Sequence, residues 1–192
     1  MEDKIYPKNK AHFKRLVQFG KEIIHVCKKH RATPVFYGSV AHFMLTQDKS
    51  MKVNDLDFYV PGDKVSGIYR ELKRKGAKEF DWIVGKTHTP DVMKAAKRTK
   101  GLLIVKFPDS ESMIAVNGDL RVELDDNKDF IKEFGRNPNL LVPLDFAGEK
   151  IKMVSLSTMG KIYKSAYARE KGKDKEKIRR KMSKFEAYIR KC

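Results

Sequence analysis

One stretch constrains this chain more than any other. The apolar run Val35-Phe36-Tyr37 ends in Gly38-Ser39, and after a short helical run and a polar loop comes Asp55-Leu56-Asp57-Phe58-Tyr59-Val60. A strand ending in Gly-Ser suits a turn into a helix whose first backbone N–H groups can hold phosphate. Strand side chains alternate, so Asp55 and Asp57 share one face and Leu56, Phe58 and Val60 the other. One face can pack on a core while the other offers two carboxylates. Their hard oxygens suit Mg²⁺, which keeps waters and substrate phosphates among its ligands. A phosphate cradle beside paired carboxylates is what metal-assisted phosphoryl transfer needs.

Each half alone is a weak signal. Gly-Ser is a common turn dipeptide, and Ser39 could serve only as a helix N-cap. Asp-x-Asp could be a solvated strand end. Order, context and separation together carry the reading. It is strengthened by Leu120-Arg121-Val122-Glu123-Leu124, a later alternating segment with an acid in its polar register.

These residues resemble the nucleotidyltransferase superfamily that also includes DNA polymerase beta. That family's pattern is an apolar residue with Gly-Ser, then Asp-apolar-Asp, then a third acid between apolar residues on another strand. The matching residues here are Gly38-Ser39, Asp55-Leu56-Asp57 and Val122-Glu123-Leu124. Ser155-Leu156, Lys164, Ala166, Arg169 and Lys173-Asp174 add a run resembling small bacterial and archaeal members. The resemblance spans residues 34–178 in patches, weakest over 62–118. The loop between Ser39 and Asp55 is slightly longer than the family's, and Lys177 stands where a second acid often follows Lys-Asp.

The resemblance implies a role for each residue. Asp55, Asp57 and Glu123 would be catalytic and would hold Mg²⁺ or Mn²⁺. Gly38 and Ser39 would bind the phosphates of a nucleoside triphosphate, and Lys164 would reach the same triphosphate, with Lys52 as a lesser candidate. Asp119, Arg121, Glu123 and Asp125 share one face of the expected third-acid strand. Glu123 fits the pattern, whereas Asp119 and Asp125 lie nearer turns, where acids bond locally. Glu123 would complete the metal site and help activate the acceptor hydroxyl.

Two other clusters are read as structural. His25, Cys27 and His30 on a helix do not converge on one point, so no metal is assigned there. His42 is read as a packing or surface histidine.

At 192 residues the chain is expected to be a single compact unit. Residues 1–155 would form a core with an N-terminal helix, and 156–192 a basic helical pair packed on it. Helical spacing is expected over 10–30, with strands over 34–37 and 55–60 and a short helix over 40–45 between them. A helix over 63–75 and a strand over 79–84 follow, then a helix over 91–97 preceded by a Thr89-Pro90 cap. A meander is expected over 102–107, 113–116 and 120–124, then a helix over 127–134. A hairpin around Ala147-Gly148 and helices over 156–170 and 175–190 complete the chain. The fold class is α/β (α+β), with a mixed, mostly antiparallel sheet, helices on one side and further helices at the C-terminus.

The net charge is +17, and residues 161–192 carry thirteen basic against four acidic side chains. So one-sided an excess points to a polyanionic partner, with RNA, and tRNA in particular, the leading expectation. No apolar run approaches membrane-spanning length, and Cys27 and Cys192 form no metal or redox motif, so no membrane partner is expected and cytoplasmic residence is.

The expected activity is Mg²⁺-dependent transfer of a nucleoside monophosphate from a triphosphate to an acceptor hydroxyl, with release of pyrophosphate. One alternative is a nucleic-acid-binding or toxin–antitoxin module on the same fold with weak or no catalysis. Another is an antibiotic-modifying nucleotidyltransferase, which the charge disfavours because aminoglycosides are polycations.

Overall fold

The structure, a computed structural model, describes residues 5–53, 55–76, 79–84, 87–89, 102–106, 113–118 and 130–190, with those between 79 and 132 described by backbone alone. In chain order the elements are α1 (Lys10–Lys29), β1 (Val35–Tyr37), α2 (Gly38–Thr46), β2 (Leu56–Val60) and α3 (Gly62–Arg74). Then come β3 (Glu79–Val84), β4 (Thr87–Thr89), β5 (Leu102–Lys106), β6 (Met113–Gly118) and α4 (Phe130–Arg136). A 3₁₀ turn at Pro138–Leu140 leads to β7 (Leu141–Phe146), β8 (Glu149–Val154), α5 (Leu156–Arg169) and α6 (Gly172–Ile189).

The eight strands form one mixed sheet in the order β4-β3-β5-β6-β2-β1-β8-β7. The β1–β8 and β2–β6 pairs are parallel and the other five are antiparallel, so the sheet is mostly antiparallel as expected. The fold is α/β.

Burial follows the alternation along β2. Leu56 and Phe58 are fully buried on the core face, where Phe36 packs edge-on to Phe58 at 4.3 Å and against Phe146 at 4.8 Å. Helix α1 covers that face with Leu16, Ile23 and Ile24, and its Gly20 meets both Phe146 and Leu56. On the opposite face Tyr37 stacks on Tyr59 at 4.1 Å, and Phe134 of α4 closes on Tyr59 at 5.9 Å.

The C-terminal helices are fastened to α2. The His42 ring packs edge-on to Tyr163 of α5 at 5.6 Å and Phe185 of α6 at 5.2 Å, and Tyr163 meets Phe185 at 5.7 Å. Helix α5 starts at the Ser155 N-cap, whose Oγ accepts from the Thr158 N–H. On α6 the expected apolar seam is reduced to one fully buried residue, Phe185; Met182 is half-buried and Ile189 is exposed.

Several boundaries differ from the sequence expectation. Helix α2 begins at Gly38 rather than two residues later, because Gly38 (φ +67°) makes the turn directly out of β1. Strand β6 runs to Gly118, its pairing with β2 extending over five residues. Thr87–Thr89 is a strand paired with β3, in place of the expected Thr89 cap. The expected helix over 91–97 and strand over 120–124 lie outside the described residues. The hairpin around Ala147 (φ 56°) and Gly148 (φ 87°) is as expected.

Candidate nucleotide and metal site

The site is built where β1 turns into α2 beside the start of β2. Tyr37 and Asp57 are register partners of the antiparallel β1–β2 pair, which sets the Gly38-Ser39 turn against the acid pair. At Gly38 the positive φ is one reason for glycine. The other is space, since a Cβ there would overlap the Asp57 carboxylate.

Ser39, itself buried, donates to both acids. Its Oγ lies 2.9 Å from Asp55 Oδ1 and its backbone N–H donates to the Asp57 carboxylate. The donors that the sequence assigned to phosphate are thus engaged by the carboxylates in this structure. The first turn of α2 contains no acidic or basic residue, so the acids of β2 supply the negative charge that a helix N-terminus favours.

The Asp57 carboxyl is pushed up to about 7. Burial is the main cause and the neighbouring Asp55 charge the second, with Lys181, the Ser39 N–H and Lys177 pulling the other way. Two carboxylates forced together with partial burial call for a cation. In this structure the nearby positive charge comes from α6. Burial pulls the Lys181 ammonium below its usual range, while Asp55 and Asp57 oppose that shift. Burial and the Asp57 charge also push the Tyr37 and Tyr163 phenols well above theirs.

The donor set fits Mg²⁺, which needs only one or two protein carboxylates and takes its other ligands from water and phosphate. Among the described residues no group of three His, Cys, Asp or Glu converges on a metal position. Glu123 lies outside the described residues. Strand β6, which flanks β2, places Ala115 in register with Asp57 and contains no acid from Met113 to Gly118. A third carboxylate carried on this strand's path would therefore have to come from outside that span.

Two groups of lysines lie in this region. Lys164 is exposed on α5, and Lys181 and Lys177 of α6 are the lysines that act on Asp57. Lys52 lines a cleft of about 510 Å³ together with Lys173, Lys177, Arg180, Lys181 and Lys184. Lys184 Nζ reaches back to Ser50 Oγ at 3.0 Å and Asp48 at 3.9 Å, tying α6 to the loop that precedes the acid pair. The signal for Lys181 is present in the sequence, but only as one of several basic residues at the start of a helix.

His42 and His30 behave as packing groups. His42 is buried, with Nδ1 2.7 Å from the Tyr163 hydroxyl, and its pKa is lowered to about 4, first by burial and then by the Lys181 charge. Cys27 is buried in α1, where burial pushes its thiol up to about 12. The His30 ring lies against Gly67 of α3, whose added Cβ would come within 2.7 Å of Nδ1. No helix among the described residues is long and apolar enough to cross a membrane.

No family model matches the chain, and no curated protein matches it. Solved structures do. The lincosamide antibiotic adenylyltransferase LnuA in its lincomycin-bound form aligns with TM-score 0.53 and 10% identity, over 88% of this chain and 96% of that one. The solution structure of the antibiotic-resistance factor ANT(2'')-Ia aligns with TM-score 0.53 and 12% identity, over 93% and 92% of the two chains. ANT(2'')-Ia in complex with adenylyl-2''-tobramycin gives TM-score 0.51 and 12% identity over 90% and 98%. At these identities the likeness is one of fold alone, a fold that this chain shares with these structures over most of its length.

Proposed function

We propose that this chain is a Mg²⁺-dependent nucleotidyltransferase, with Mn²⁺ able to replace Mg²⁺. The observation that carries this reading is the packing of the Gly38-Ser39 turn directly against Asp55 and Asp57 at the start of α2. Asp55 and Asp57 would hold the metal, which supplies charge neutralisation at the triphosphate. Glu123 would complete that site and help take the acceptor proton. Gly38 allows the phosphates to approach the backbone, and Ser39 exchanges its donors from carboxylate to phosphate oxygens. Lys181 and Lys177 offset negative charge near the leaving group.

The acceptor hydroxyl oxygen forms a bond to the α-phosphorus in line with the bond to the bridging oxygen. That bond breaks, pyrophosphate leaves, and the hydroxyl proton passes to a carboxylate of the site. Little covalent work falls to the protein, and positioning with charge stabilisation supplies the rate.

The fold likeness to LnuA and ANT(2'')-Ia favours a second reading, nucleotidyl transfer to a small antibiotic. The six basic side chains along the cleft argue against a polycationic aminoglycoside as the acceptor.

One experiment tests both readings. The protein is incubated with each labelled triphosphate, Mg²⁺ and separate pools of cellular RNA, protein, metabolites, lincomycin and tobramycin. Wild type should label one pool and Asp57→Asn none. Equal labelling by both proteins, or none with any combination, overturns the transferase reading. Label on an antibiotic selects the second reading.

A further inference from the structure

The cation-lined cleft beside the acid pair is more than one triphosphate needs. Its basic side chains are Lys52 on one wall and Lys173, Lys177, Arg180, Lys181 and Lys184 of α6 on the other. Among the described residues Glu176 is the only acid lining it, and that carboxylate is already paired with Arg179 at 2.9 Å and Arg180 at 3.3 Å. Among the described residues no ion pair involves Lys52, Lys173 or Lys177, and all three are exposed. From residue 173 to 184 the helix advances about 16 Å, longer than a chain of three phosphorus atoms.

The array is also held in place. Phe185 is buried against His42 and Tyr163, and Lys184 is tied to Ser50 and Asp48, so α6 is a fixed wall rather than a loose basic tail. The wall opposite α6 is formed by Ser50, Met51 and Lys52, the segment that leads into Asp55 and Asp57. His42 of α2, the helix that begins at Gly38-Ser39, also lines the cleft, so the cleft lies next to the acid pair.

We propose that this cleft is a binding track for the phosphate backbone of a nucleic-acid strand, and that the strand's hydroxyl is the acceptor delivered to Asp55 and Asp57. The destination of the strand rests on the transferase reading, whereas the binding does not. Regularly spaced phosphates match a row of exposed lysines without needing base contacts, and each neutralised phosphate releases counterions.

The test measures binding alone, without triphosphate or Mg²⁺. Fluorescence anisotropy is recorded for a labelled single-stranded RNA and a DNA of the same sequence across a salt series. Wild type should bind with steep salt dependence. The triple change Lys52→Gln, Lys173→Gln and Lys177→Gln should lower the slope of log K against log salt by about 2, from about 0.7 per lost single-strand phosphate contact. A control triple removing equal charge elsewhere (Lys21→Gln, Lys73→Gln, Lys150→Gln) should leave the slope unchanged. Circular dichroism checks that both variants fold. Binding of RNA, DNA or both supports the track, and their ratio says which polymer it prefers. Three outcomes overturn it. They are no binding at low salt, an equal loss in the two triple variants, or a folded cleft variant whose oligonucleotide slope is unchanged. Failure of the transferase reading would instead appear as unlabelled acceptors with oligonucleotide binding intact.

Discussion

The Asp57 carboxylate fills the space that a side chain on Gly38 would occupy. Glycine at this turn therefore serves two requirements at once, a positive φ and a close approach between the α2 N-terminus and an acid of β2. Gly38→Ala should cost about 1–2 kcal/mol from the left-handed backbone and should also push Asp57 out of the site. We expect a lower Tm together with loss of nucleotide transfer. Gly20→Ala is the comparison, because its Cβ would come within 2.5 Å of the Phe146 ring and 3.2 Å of Leu56, on the core face of β2 opposite the acids. That variant should lose stability yet keep its transfer rate per folded molecule. Equal rates in wild type and Gly38→Ala would show that the close approach is not needed.

Asp55→Asn and Asp57→Asn should separate stability from ligand binding. Burial and mutual repulsion raise Asp57, so neutralising either acid removes an unfavourable interaction in the folded chain. Thermal melts of the free protein should show each variant at least as stable as wild type near pH 7. With Mg²⁺ and triphosphate at about 100 times Kd, wild type should gain about 2.7 kcal/mol, while the variants gain little. Transfer should fall by on the order of 100-fold or more, the equivalent of several kcal/mol of charge stabilisation. A variant that unfolds, or that still responds to nucleotide, would contradict the metal assignment.

Much of this architecture is legible in the sequence because it is local. The alternation in Asp55-Leu56-Asp57-Phe58 tells which side of β2 is core, and Ala147-Gly148 marks the β7–β8 turn. What the sequence does not show is long-range. Nothing in the composition of α6 distinguishes Lys181 from Lys177, Arg180 or Lys184; it is the docking of Phe185 on His42 and Tyr163 that turns Lys181 toward the acids. Likewise the engagement of Ser39 with Asp55 depends on the β1–β2 register, which spacing along one strand cannot give. The apolar seam expected along α6 is too generous, since Ile189 is 46% exposed and Phe185 alone is fully buried. Helical periodicity identifies a face, but the length of the partner surface decides how much of it is covered.

His42 makes stability depend on pH in a defined window. Its folded pKa is lowered to about 4 by burial and by the Lys181 charge, against an ordinary value of 6.5. Between these values the unfolded chain takes up a proton that the folded chain does not. The contribution is therefore fully present above pH 6.5, is lost as pH falls, and is exhausted near pH 4. It amounts to at most about 3 kcal/mol. The raised Asp57 acts with the opposite sign, so the informative quantity is the difference between wild type and His42→Gln. Urea midpoints measured from pH 7 to 4 should show a smaller acid-side loss in the variant. Parallel curves would mean that His42 is not held neutral by its surroundings.

Phe185 decides whether α6 reaches the site at all. It is 1% exposed and lies edge-on to His42 at 5.2 Å and Tyr163 at 5.7 Å, while the rest of the helix is half-buried or exposed. Phe185→Ala should cost about 3–5 kcal/mol, the range for deleting a buried aromatic ring. Ile189→Ala, at an exposed position on the same helix, should stay within about 0.5 kcal/mol. Because Lys177 and Lys181 depend on this anchor, Phe185→Ala should also weaken triphosphate binding and oligonucleotide binding together. Hydrogen exchange locates the defect. Amides of α6 should exchange faster in Phe185→Ala, while those of α1, which is anchored in the core through Leu16, Ile23 and Ile24, stay protected up to global unfolding. Uniform loss of protection across both helices would mean that α6 is part of the same cooperative unit as the sheet. Unchanged protection in α6 would show that the Lys184 tether to Ser50 and Asp48 is enough to hold the helix.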